Sequence, residues 1–221
     1  MSQESKRYEI KVHDFTHLEV DNSIKVTYIA NPDSAGLIVF NATPDMASRI
    51  YISDKGKGKV DIQCCADCTY DMDFPDITIY STRLTKVVNS GDSLVTVERN
   101  PPCERFDATL LGNGRLSIRD IEASKVDAKI ATGSGQLIIS GKCTKCNLMV
   151  TGTGTIQADR LKAVEGKATV IGTGTIGCDF SEVVTVAGVG SGKVMYRVTP
   201  RKVKSHAIGI KHFPLDAKAE E

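Results

Sequence analysis

The chain has 221 residues, a net charge of +1, 5% aromatic residues and no Trp. It has no global basic field to hold a nucleic-acid backbone and few rings on which bases could stack, so composition argues against a nucleic-acid partner. No stretch approaches the roughly 20 apolar residues of a membrane helix, and abundant Val, Ile, Thr, Ser and Gly favour strands and tight turns over helices.

The opening, Met1 to Arg7, lacks the apolar centre of an export signal. That leaves two readings open, a cytoplasmic chain or a mature chain whose signal has been removed. Short alternating segments follow. Leu18-Val20 and Ile24-Val26-Tyr28 flank a turn at Asp21-Asn22-Ser23, and Asn31-Pro32-Asp33-Ser34 is a second turn before Leu37-Val39. Pro44 to Arg49 has the pattern of a short helical turn. Asp54 to Lys59 reads as a turn leading into Val60-Ile62, Cys64 to Phe74 as a loop, and Ile77-Ile79 starts the run toward a more regular region.

That region is a repeat. Gly-x-Gly triplets begin at Gly112, Gly133, Gly152, Gly172 and Gly190, so successive copies are 21, 19, 20 and 18 residues apart. Four residues after each first Gly stand Leu116, Leu137, Ile156, Ile176 and Val194. Six residues after it stand Ile118, Ile139, Ala158, Cys178 and Tyr196. Polar residues separate these positions, which is the alternation of a strand with one buried face. Each copy has a second strand, as in Val126-Ala128-Ile130 or Cys146-Leu148-Val150. Between the two strands one residue is expected to fill a corner: Ile121, Cys143, Leu161, Phe180 and Val198.

One coil of this length cannot bury its own apolar face, but stacked coils turn columns of like residues into a continuous core. The reading is an all-β, single-domain parallel solenoid with coils of about 20 residues. It divides into irregular N-terminal coils over 8–111, regular coils over 112–209 and a frayed tail over 214–221. Coiling at the same period throughout predicts roughly ten coils.

Three groups of residues invite a chemical reading. Gly172, Gly174 and Gly177 match the dinucleotide fingerprint, but a strand rather than a helix follows them, so a turn is expected and no cofactor. Of the seven cysteines, Cys143, Cys146 and Cys178 fall on apolar columns and are expected to pack as small hydrophobes. Cys64, Cys65 and Cys68 lie outside the repeat. A local disulfide, with Cys68 or Cys103 as the likelier partner, a metal contact and an idle thiol all stay open for them. An outward column seven residues after each first Gly reads Arg119, Ser140, Asp159, Asp179 and Arg197. Stacking would bring Asp159 and Asp179 within about 5 Å at the Cα level, a spacing that could divide acid and base roles on a glycan. The plainer alternative is a solvated ladder in which Arg197 neutralises its acidic neighbour. Arg201, Lys202, Lys204 and Lys211 cluster on or near the last coil, where they could touch an anionic glycan or lipid headgroup; the plainer reading is polar capping that discourages edge-to-edge growth.

The stretch GSGQLIISGKCTKCNLMVTGTGTIQADRLKAVEGKATVIGTGTI resembles the head GIN domain of autotransporter adhesins, a family frequent in Bacteroidetes. The ending GSGKVMYRVTPRKVKSHAIG is similar to that family's last coil, and YEIKVHDFTHLEV to its first strands. The resemblance implies a right-handed β-helix in an exported, periplasmic or surface-anchored protein with adhesin-like or structural work. It carries over no catalytic residue. The function expected is therefore a non-enzymatic envelope module that binds a glycan, an envelope component or a protein, including another copy of itself, with Arg119, Asp159, Asp179 and Arg197 as the binding ladder. A polysaccharide-cleaving enzyme and a cytoplasmic scaffold on the same fold are the alternatives.

Overall fold

The computed structural model describes residues 4–65 and 73–215. The tail expected to fray lies outside the described residues from residue 216 onward, and so does most of the loop expected between Cys64 and Phe74. The first half runs β1 (Lys6–Lys11), β2 (His17–Val20), β3 (Val26–Ala30), a 3-10 turn at Pro32–Ser34, β4 (Leu37–Ala42), α1 (Pro44–Ala47), β5 (Ile50–Gly56), β6 (Lys59–Cys64), β7 (Ile77–Ser81), β8 (Lys86–Asn89) and β9 (Leu94–Arg99). The second half runs β10 (Cys103–Leu111), β11 (Arg115–Thr132), β12 (Gln136–Gly152), β13 (Thr155–Gly172), β14 (Thr175–Gly190), β15 (Lys193–Tyr196), β16 (Lys202–Ile208) and β17 (Lys211–Pro214). The short helical turn expected near Pro44 is α1, opened by Thr43, whose Oγ1 accepts the Met46 N–H at 3.3 Å.

Parallel strands about 20 residues apart stack into a β-solenoid of about 6 turns. Sequential coiling begins only near Lys86, and this is why roughly ten coils do not form. β2 lies between β6 and β8, and β3 between β7 and β9, so the first strand pair is not the end of the stack. Residues 31–65 leave the stack and return over its N-terminal end. There β4 pairs antiparallel with β7, β1 with β4, and β5 with β6. Turn chemistry reverses the chain at these places. The β5–β6 hairpin closes on Lys57 and Gly58, whose φ angles of 52° and 72° are those of a two-residue hairpin turn. Tyr8 of β1 stacks on Phe40 of β4 with ring centroids 5.4 Å apart, which closes this end with aromatic surface.

Interior columns run the length of the stack. On one face Ile77, Val26, Val95, Leu116, Leu137, Ile156, Ile176 and Val194 lie in register, and all are buried. On the other face Val60, Leu18, Val87, Ala108, Ala128, Leu148, Ala168 and Val186 do the same. At the C-terminal end the columns finish on polar residues, His212 over Val194 and Ser205 over Val186. Buried amides close the turns where the columns break. Asn89 donates to the carbonyls of Ser93 and Arg115, both at 3.0 Å, and accepts the Gly91 N–H.

The corners depart from the expected column. Ile121 pairs with Gly141, which pairs with Leu161, whereas Cys143 stands between Ala123 and Ala163, and Ala163 pairs with Phe180. Val198 is 49% exposed and fills no corner. The cause is unequal coil length, which shifts register at each corner.

The two glycines of a triplet serve different needs. Gly133 has φ +88°, a left-handed conformation that side chains with a Cβ rarely adopt. Gly135 has no such φ, but a Cβ there would lie 2.7 Å from the Gly114 carbonyl oxygen of the coil below. The fingerprint-like Gly172, Gly174 and Gly177 divide the same way. The first has φ +118°, a Cβ on the second would collide with Val150 Cγ1, and the third has ordinary room. β14 begins at Thr175 and includes Gly177, so Gly172 to Gly174 is a stacked turn that leads into a strand.

Candidate functional site

Strand bookkeeping at the corner after the first face locates a groove. Between aligned pairs, β11 spans Ile118 to Ile121 while β12 spans only Ile139 to Gly141. On the other side, β12 spans Ile138 to Ser140 while β13 spans Gln157 to Arg160. A short coil is thus flanked by two longer ones, each with one extra residue that bulges outward. The extra residues fall at Arg119-Asp120 and Ala158-Asp159, and Arg160 stands in register with Ser140. Ser140 sits in the recess between them. Asp120 takes φ 50° to make its bulge, and its N–H donates to Ser140 Oγ at 3.0 Å. This polar bond holds the left-handed residue in place.

The recess is a groove of about 550 Å³ lined by Ser117, Arg119, Asp120, Ser140, Gln157, Asp159 and Arg160 together with the backbone edge of Ile118, Ile138 and Ile139. Guanidinium donors, carboxylate acceptors, one amide and hydroxyls converge there, without an aromatic ring. Arg119 also reaches Glu98 on the preceding coil at 3.5 Å. Asp159 leans toward the gap left by Gly177, since a Cβ on that glycine would meet Asp159 Oδ1 at 3.8 Å.

The structure therefore brings Arg119, Ser140 and Asp159 together and treats the rest of the expected ladder differently. Asp179 pairs in register with Lys162, four residues beyond Ala158, and is only 9% exposed. Asp159 and Asp179 do not face each other across one rung, because β13 carries three more residues than β14 at this corner. Arg197 does not neutralise Asp179 through its side chain. Its Nη1 donates instead to the Asp159 carbonyl at 3.2 Å. Asp120, Gln157 and Arg160 also line the groove, although no alignment on Gly-x-Gly placed them there. The signal that could have found them is the 19-residue spacing set between spacings of 21 and 20.

The cysteines sort by burial. Cys146 pairs with Val126 on one side and Gly166 on the other, and Cys178 with Ala158 and Tyr196, so both pack in apolar columns. Burial pushes the Cys178 thiol up to about 12, with the Asp179 charge adding to it. Contact with the Cys146 thiol lowers Cys143 below the ordinary thiol range. The same contact and complete burial raise Cys146 well above it. Cys64 and Cys103 are free thiols, half-buried, and burial raises both. Cys103 therefore closes no disulfide with the Cys64-Cys65 segment. Cys68 lies outside the described residues. Among the described residues no three or more His, Cys, Asp or Glu side chains are close enough to hold a metal ion, and no helix is long and apolar enough to cross a membrane.

The chain matches solved structures over nearly its whole length. A "putative adhesin" from Bacteroides fragilis NCTC 9343 superposes with a TM-score of 0.80 at 20% identity, covering 96% of this chain and 98% of that one. A "putative lipid binding protein" from Parabacteroides distasonis ATCC 8503 superposes at 0.73 and 18% identity, covering 96% and 98%. A "putative adhesin" from Parabacteroides merdae ATCC 43184 superposes at 0.73 and 16% identity, covering 96% and 97%. At these identities the likeness establishes the shared solenoid. No curated protein sequence matches the chain. The family model described as "Putative auto-transporter adhesin, head GIN domain" matches residues 14–200. With that match spanning most of the stack, the chain belongs to the auto-transporter adhesin head GIN domain family.

Proposed function

We propose that this chain is a non-enzymatic, adhesin-like module of the bacterial cell envelope, exported to the periplasm or cell surface, that binds a glycan in the Arg119–Ser140–Asp159 groove. The observation that carries the reading is the short coil between two bulged ones. It sets donors and acceptors side by side on a rigid solenoid, where little ordering is needed on binding. Arg119 and Arg160 offer fixed forks of N–H donors, Asp120 and Asp159 offer acceptors, and Ser140 and Gln157 offer both. Neighbouring sugar hydroxyls need that alternation. The family match to adhesins and the adhesin names of the solved structures support attachment rather than turnover.

The Asp159/Asp179 pair expected for glycan cleavage does not form, because Asp179 is buried in register with Lys162. Asp120 and Asp159 both line the groove, so its test must read cleavage as well as binding. A screen of the purified chain on an array of bacterial and host glycans tests the proposal. Binding that is lost in an Arg119→Ala/Asp159→Ala variant, with no cleavage products by mass spectrometry, supports it. Absence of binding across the array, or release of shortened glycans, contradicts it.

A further inference from the structure

The two ends of the stack are built differently. Antiparallel strands β4, β1 and β5 close the N-terminal end. At the other end β16 is paired along one edge, to β14, and no strand lies along its second edge among the described residues. An edge of this kind presents a row of free N–H and C=O groups ready to accept another strand.

The side chains state what that strand should carry. Along the upstream part of the same face, several cations find acids on the same or neighbouring rungs, while Lys86, Lys129 and Lys167 stand singly with no ion pair among the described residues. Lys59 Nζ lies 2.7 Å from Glu19, Arg105 Nη2 2.9 Å from Asp127, and Lys145 Nζ 3.1 Å from Glu165. On β16 the pattern is left incomplete. Outward-facing Lys202, Lys204 and His206 stand in register with Val183, Thr185 and Ala187, none of them acidic. No ion pair holds Lys202, Lys204 or Lys211 among the described residues, while neighbouring Arg201 is satisfied by Glu182 at 3.2 Å. The missing acids would come from the next rung. That rung would also cover Val203, which faces the interior column over Val184 yet is 39% exposed.

We infer that the β16 edge is a docking site for an extended acidic polypeptide segment, in which acidic residues alternate with aliphatic ones and which adds as one more strand. A second copy of this chain fits poorly. β16 against β16 would oppose lysines, and β1 at the far end brings Lys6, Arg7 and Lys11 to the same contact. The β16 edge shares no residue with the groove.

The test uses a fluorescein-labelled peptide of alternating Glu and Val, with a Lys/Val peptide of the same length as control. Fluorescence anisotropy should show binding of the acidic peptide alone, weakened about tenfold by raised salt or by Lys202→Glu/Lys204→Glu. Hydrogen exchange should slow at residues 202–208 when the peptide is bound. The milder Lys204→Gln should give a smaller loss and serves if the double variant fails to fold. Absence of binding overturns the inference. So does binding without protection of 202–208, since that is charge attraction without strand addition. Self-association that sedimentation detects and charge reversal leaves unchanged overturns it as well.

Discussion

Arg197 donates from Nη1 to the Asp159 carbonyl at 3.2 Å, spanning the coil that lies between them, while its own N–H donates to the Cys178 carbonyl at 2.8 Å. One side chain thus ties the C-terminal coils to the bulge that carries the groove acid. Arg197→Ala should cost under about 1 kcal/mol, because the bond is exposed to water. The same change should weaken binding to any glycan the groove takes, since the Asp159 bulge loses its brace. Thermal melts and titrations of the two proteins check both halves.

Glycines in the turns should separate by cause. Gly135→Ala forces a Cβ to within 2.7 Å of the Gly114 carbonyl oxygen and should cost about 1–3 kcal/mol. Gly177→Ala meets only ordinary contacts at 3.8 Å and should stay within about 0.5 kcal/mol of the parent. Denaturant midpoints of the two variants decide it. Equal losses would show that the Gly177 position is tighter than described.

The aliphatic columns predict a large and local cost. Leu137 is fully buried between Leu116 and Ile156, so Leu137→Ala should destabilise by about 2–5 kcal/mol. Because the stack is a chain of neighbour contacts, hydrogen exchange should rise most in β11, β12 and β13. A loss spread evenly over all strands would contradict that picture.

Alkaline pH should weaken the fold through buried acids that hold their protons. The Cys178 thiol is raised from 9.0 to about 12 and the Tyr28 phenol from 10.0 to about 12, both chiefly by burial. The folded state keeps these protons longer than the unfolded state. Their contribution is intact below pH 9 and is lost as pH climbs toward 12, at up to about 1.4 kcal/mol per pH unit for Cys178. Alkylation at pH 8 should mark Cys64 and Cys103 before Cys146 and Cys178. Unfolding midpoints that do not change between pH 8 and 11 would contradict the burial of these groups.

The residues that were legible in the sequence are those set by a local rule. Leu116, Leu137, Ile156, Ile176 and Val194 stack as their spacing from Gly-x-Gly requires, because alternation and the turn fix the first strand of every coil. The corners were not legible. Their register depends on one or two extra residues per coil, which a fixed offset from the glycine cannot absorb. Hence Cys143 stands with Ala123 and Ala163, and the Asp159/Asp179 pair dissolves. The return of residues 31–65 over the N-terminal end was also hidden. Antiparallel pairing of β4, β1 and β5 rests on contacts far apart in sequence, and each of these strands shows only the same alternation as the rest.

The groove is the centre of the account, and direct titration tests it. A glycan selected from the array should bind the parent chain with one site and lose about tenfold or more in affinity on Arg119→Ala or Asp159→Ala. Asp179→Asn, changing a buried acid that does not line the groove, should leave the affinity as it was. Unchanged affinity in the first two variants, or loss only in the third, would contradict the assignment of this groove as the binding site.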